Sequence, residues 1–151
     1  MAPNHTFEDL AARRVASASV ILGRNERSPM NWSAIAAVLL ALAVGLGAFG
    51  AHGLRDRFDE YRMGVWEKAV FYHFVHALGM LIVSLIPRAG AMSKSGAEWV
   101  CWLLLAGILI FSGSLYVLAW SGVRMLGAIT PIGGAAFILA WLLLAWKLAR
   151  P

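Results

Sequence analysis

The stretch Trp32 to Gly50, WSAIAAVLLALAVGLGAFG, carries no charge anywhere along its length. About twenty such residues are what a helix needs to cross roughly 30 Å of hydrocarbon. An isolated strand is excluded, because its unpaired backbone groups would be stranded in lipid. Working outward, three further uncharged runs follow, at 69–86, 99–120 and 125–146. The expectation is an all-α fold, a four-transmembrane-helix bundle with spans at 32–50, 69–86, 99–120 and 125–146.

The rest of the chain agrees with lipid as the solvent. Of its 151 residues, 60% are hydrophobic and 14% charged, whereas soluble domains sit near half apolar and about a quarter charged. Trp32, Trp66, Trp99, Trp102, Trp120 and Trp146 all fall near span ends, where an indole buries its ring and still donates its N–H. Only Trp141 lies well inside a span. The net charge of +5 is assigned to lysines and arginines flanking the spans. No basic run stands beside aromatic residues on a polar surface, so no nucleic-acid partner is expected. Cys101 is the one cysteine, which excludes an internal disulfide and a CxxC redox pair.

The first connection differs from the others. Leu54, Phe58, Tyr61 and Val65 recur at helical spacing among charged residues. That pattern predicts a short interfacial amphipathic helix between the first two spans, with the chain turning inward at Gly64. Residues 1–29 are polar, contain Pro3 and Pro29, and place Glu8 and Asp9 before Arg13 and Arg14. A signal peptide needs a basic start and a stronger apolar core, so this segment reads as a disordered cytoplasmic tail ahead of a membrane domain at 30–151. The tail, the second connection and the C-terminus together hold more Lys and Arg than the opposite side, which places both termini in the cytoplasm. That bias depends on the tail: with translation from Met30 it disappears.

Four local patterns then occur in order: Gly47-Ala48-Phe49-Gly50-Ala51-His52-Gly53-Leu54; Trp66-Glu67-Lys68-Ala69 with Tyr72-His73-Phe74-Val75-His76; Phe111-Ser112-Gly113-Ser114-Leu115-Tyr116; and Leu126-Gly127-Ala128-Ile129-Thr130-Pro131-Ile132-Gly133-Gly134. In this order and spacing the chain resembles the YgdD/YwdK-type family of small bacterial inner-membrane proteins, a domain of unknown function numbered 423. The resemblance covers about Met30 to Trp146. It implies a multi-pass protein of the bacterial inner membrane and supplies no established catalytic residues. The chain departs from the family pattern in its long polar N-terminal extension.

Candidate chemistry gathers on the second span. His73 and His76 stand three apart and project from nearly the same side of a helix, and Lys68, Tyr72 and His76 form an adjoining stripe. Ionisable residues at this depth usually face a bundle interior and are functional candidates. The candidate polar site comprises His52, Glu67, Tyr72, His73, His76 and Tyr116. Neutral imidazoles also suit zinc, copper or iron. A metal at His73 and His76 needs a third ligand, for which His52 and Glu67 are nearest by topology, and the spacing matches no named zinc signature. Against this stands a plainer role, in which such residues hydrogen-bond across helices and hold the bundle together.

Small residues supply a second theme. Gly45, Gly47, Gly50, Gly113, Gly133 and Gly134 are assigned to close helix packing, with Ala43, Gly47 and Ala51 forming a small-residue stripe. Thr130-Pro131 predicts a late start or a kink in the fourth helix. No phosphate-cradling loop, nucleophile elbow or Ser–His–Asp set is present. The sequence therefore leads to a non-enzymatic accessory or structural membrane component. Its expected partners are the lipid bilayer and further copies or other membrane proteins, with no cofactor. The alternative is proton-coupled transport, or small-molecule or metal binding, around His73 and His76.

Overall fold

The computed structural model describes residues 30–150, so the expected tail at 1–29 lies outside the described residues. Among the described residues there are four helical spans, Trp32–Leu54, Glu60–Ala89, Lys94–Ser121 and Arg124–Leu148, each long and apolar enough to cross a membrane. They contain five α-helices: α1 (Trp32–Phe49), α2 (Glu60–Leu85), α3 (Lys94–Gly107), α4 (Gly113–Ser121) and α5 (Thr130–Leu148). A π-turn at Gly50–Leu54 extends α1, and another at Ile108–Ser112 joins α3 to α4 within the third span. The bundle is all-α, as expected. The spans outrun the uncharged segments because a helix continues into the interface, where charged side chains reach water.

Local chemistry sets the ends. Asp59 has extended backbone and its carboxylate accepts the Arg62 N–H at 2.8 Å, capping α2. Ser93 does the same for α3 through the Gly96 N–H. Gly90 and Gly122 take positive φ of 72° and 74° where the second and third spans stop, the left-handed conformation that favours glycine. Pro131 lies in the first turn of α5, where its missing N–H breaks no helical bond. The fourth helix thus begins at Thr130, after a 3-10 segment at Arg124–Ala128.

One expectation is corrected here. The amphipathic stretch does not form a separate interfacial helix turning at Gly64. Residues 55–57 form a turn and Phe58 a bend, and α2 starts at Glu60 and runs through Gly64. The cause is burial: Leu54, Phe58 and Val65 pack with Trp66 and Ala119 in a small core at this end of the bundle, instead of lying flat on a lipid surface.

The first span packs on the second, the second on the third, and the third on the fourth. The main core joins Ala36, Met80, Val100, Cys101, Leu104, Phe137 and Ala140. Glycines let large rings enter this arrangement. A Cβ at Gly50 would lie 2.6 Å from the Trp66 ring, one at Gly79 2.7 Å from Trp141, and one at Gly107 2.4 Å from Phe137. At Gly133 the neighbour is backbone, with a Cβ 2.4 Å from the Phe111 nitrogen. Gly47 and Gly134 make looser contacts, 3.3 Å to Val70 and 3.8 Å to Phe111. Gly45 and Gly113, expected in the seams, meet nothing within 4 Å. Their helical phase explains this. Ala36, Leu39, Ala43 and Gly50 form the buried face of the first span, and Ile108, Ser112, Leu115 and Ala119 that of the third, which leaves Gly45 and Gly113 off both faces.

Candidate functional site: a polar seam and a lipid-facing groove

The structure divides the six expected polar-site residues. His73 and His76 are buried, 4% and 6% exposed, and point into the bundle. His73 Nδ1 lies 3.3 Å from the Tyr116 hydroxyl of α4. His76 Nδ1 donates to its own helix, to the Tyr72 carbonyl at 2.7 Å. Its ring stacks on Phe137 of α5 with centroids 3.4 Å apart. The two imidazoles therefore tie α2 to different neighbours. Tyr72 is exposed at its edge but packs on Phe111 at 4.5 Å and stacks over His76 at 5.7 Å. Tyr116 in turn meets Trp66 at 4.8 Å.

His52 and Glu67 do not join this group. Both are exposed. Glu67 precedes His73 by six positions, which at about 100° per residue puts it well off the histidine face. His52 sits on the exposed side of the first π-turn. Among the described residues no three His, Cys, Asp or Glu side chains come together to hold a metal. Neither His52 nor Glu67 is placed beside the two histidines.

Several polar contacts escape sequence reading. Arg62 of α2 reaches across to the end of α4, where Nε donates to the Ala119 carbonyl at 2.6 Å and a terminal nitrogen to the Trp120 carbonyl at 2.5 Å. These are last-turn carbonyls with no partner inside their own helix. Trp66 Nε1 donates to the Leu46 carbonyl at 3.0 Å, through the notch that Gly50 leaves. Ser114 and Thr130 join the third span to the fourth at 2.9 Å, and Ser33 and Ser84 join the first to the second at 3.0 Å. A Gly–aromatic pairing across helices would have been the visible signal for Gly50–Trp66, but glycines and rings are too common in this chain to assign partners.

The second feature is a groove between the first two spans, of about 660 Å³. Ala43, Gly47 and Gly50 belong to its first-span side, Val70, Phe71 and Phe74 to its second-span side, and Glu67 is its single charged lining residue. Ala48 and Ala51 line it while remaining exposed. Small residues on one wall and aromatic rings on the other leave a recess open to lipid.

Comparison with known proteins places this architecture. The family described as "Protein of unknown function (DUF423)" matches residues 46–134. A UPF0382 membrane protein of Staphylococcus epidermidis is 52% identical over 103 residues, covering 68% of this chain and 82% of the relative. The UPF0382 membrane protein YwdK of Bacillus subtilis is 46% identical over 111 residues, covering 73% of this chain and 89% of the relative. No solved structure matches the chain. With four membrane-crossing helices and relatives that are bacterial membrane proteins, this chain is a multi-pass membrane protein belonging to the DUF423 family.

Proposed function

We propose that the protein is a non-enzymatic accessory component of the bacterial inner membrane that receives a transmembrane helix of a partner in the groove between its first two spans. The observation that carries this reading is the groove itself, about 660 Å³ with Ala43, Gly47, Ala48, Gly50 and Ala51 along one wall. Lipid tails are as apolar as leucine, so helices associate in a bilayer by close packing, which small residues permit. Supporting it further, His76 and Tyr116 are engaged in ties between helices, the part that polar side chains play in holding a membrane bundle together.

The test is recovery of membrane partners with the full chain, comparing wild type with Ala48→Leu and Ala51→Leu. Both alanines are exposed in the groove, so the larger side chains fill it without entering the core. A partner, whether another protein or a second copy, is expected with wild type and lost with the variants. Equal recovery with wild type and filled grooves refutes the reading, as does repeated failure to recover any partner.

A further inference from the structure

Two buried polar atoms on the inner seam have no hydrogen-bond partner among the described residues, His73 Nε2 and Ser112 Oγ. The third such atom, Trp32 Nε1, stands at the start of the first span. Residues Tyr72 and Phe111 touch ring to ring, and His73 reaches Tyr116. His73 directly follows Tyr72, Ser112 directly follows Phe111, and Tyr116 is one helical turn beyond Ser112. Both orphan groups therefore belong to the same short length of the α2 seam.

The state of Ser112 is unusual among the described serines within helices. Ser84, Ser114 and Ser121 each donate to a carbonyl three or four residues back, Leu81, Phe111 and Val117. This is the ordinary way a helix satisfies a serine. Ser112 closes the π-turn, where the carbonyl four residues back, that of Ile108, receives the Gly113 N–H. Its hydroxyl is wholly buried and has no hydrogen-bond partner among the described residues. Such π-turns inside α-helices are frequent at functional sites.

His73 leaves a matching need. If Tyr116 donates to Nδ1, then Nε2 carries the hydrogen and lacks an acceptor. If Nδ1 donates to Tyr116, then Nε2 is a bare acceptor without a donor. A guest that both donates and accepts satisfies either tautomer and serves the serine hydroxyl as well. Buried polar groups without protein partners are the usual hosts of internal water.

We propose that His73 Nε2 and Ser112 Oγ frame an internal site for one water molecule, completing a hydrogen-bonded chain Tyr116–His73–water–Ser112 across the second and third spans. The chain runs in either direction according to the His73 tautomer. It lies on a different seam from the lipid-facing groove, so it stands or falls independently of helix docking.

The experiment uses the full chain in lipid bilayers with nitrogen-15-labelled histidine. Magnetisation transfer from water protons to His73 Nε2 is measured by solid-state NMR, with the signal assigned through His73→Gln. Reversible unfolding of wild type and Ser112→Ala is followed in parallel. The site predicts water contact at Nε2 that Ser112→Ala abolishes, with the unfolded fraction rising about fivefold as the water loses a partner. A dry Nε2 overturns the site. So does a Ser112→Ala variant as stable as wild type or more so, because removing a truly unpaired buried hydroxyl relieves a cost instead of creating one.

Discussion

Gly133 and Gly134 are neighbours at the start of α5, yet the structure assigns them opposite tolerance. A methyl group at 133 would sit 2.4 Å from the Phe111 nitrogen, 2.7 Å from its Cβ and 2.8 Å from its Cα. These are positions of the π-turn backbone and the atom attached to it, so no rotamer change relieves the clash and the third and fourth spans must part. Overpacking of this kind costs about 1–3 kcal/mol, and more where backbone must move. Helix propensity returns up to about 1 kcal/mol for Gly→Ala. A net loss of about 2 kcal/mol follows for Gly133→Ala, raising the unfolded fraction about thirtyfold. At Gly134 the added methyl meets the Phe111 ring at 3.8 Å, an ordinary contact. Gly134→Ala should be neutral or stabilising by up to about 1 kcal/mol. Reversible unfolding in mixed micelles measures both variants. Equal stability of the two, or a more stable Gly133→Ala, would refute the assigned contact between α5 and the π-turn.

Two further outcomes are expected. Arg62→Ala removes the donor to the Ala119 and Trp120 carbonyls. Because this side chain is half-exposed, the loss is about 1 kcal/mol, with faster amide exchange confined to the last turn of α4; unchanged exchange there would contradict the clamp. Cys101 is wholly buried, its Sγ lying 3.9 Å from the Met80 carbonyl. A membrane-permeant maleimide should therefore modify it only after unfolding, and rapid labelling of the folded protein, read by mass, would place this face of α3 elsewhere.

The spans were legible because charge is costly in hydrocarbon, so an uncharged run of sufficient length has few other readings. The inward direction of His73 and His76 was legible for the same reason. What sequence could not supply was phase. The segment from Leu54 to Val65 has apolar residues at helical spacing, and periodicity alone does not say whether they face lipid or protein. The Asp59 cap and the pull of Trp66 decide it in favour of protein. Gly45 and Gly113 illustrate the same limit, since a small residue marks close packing only if its face is the buried one. Glu67 and His52 were grouped with the histidines by nearness along the topology, but helical phase and the exposed side of a π-turn carry them away. The π-turn at Ile108–Ser112 leaves no distinct mark in composition, so the orphaned hydroxyl of Ser112 was not legible.

The claim that the groove receives a helix is tested most directly by photocrosslinking in native membranes. A photoreactive amino acid is placed at Ala48, in the groove, and for comparison at Leu139, which is exposed on α5 away from it. Position 48 should give a discrete protein adduct while position 139 gives lipid adducts only. Lipid adducts alone from both positions would contradict the docking role and leave the groove as part of the ordinary lipid-facing surface.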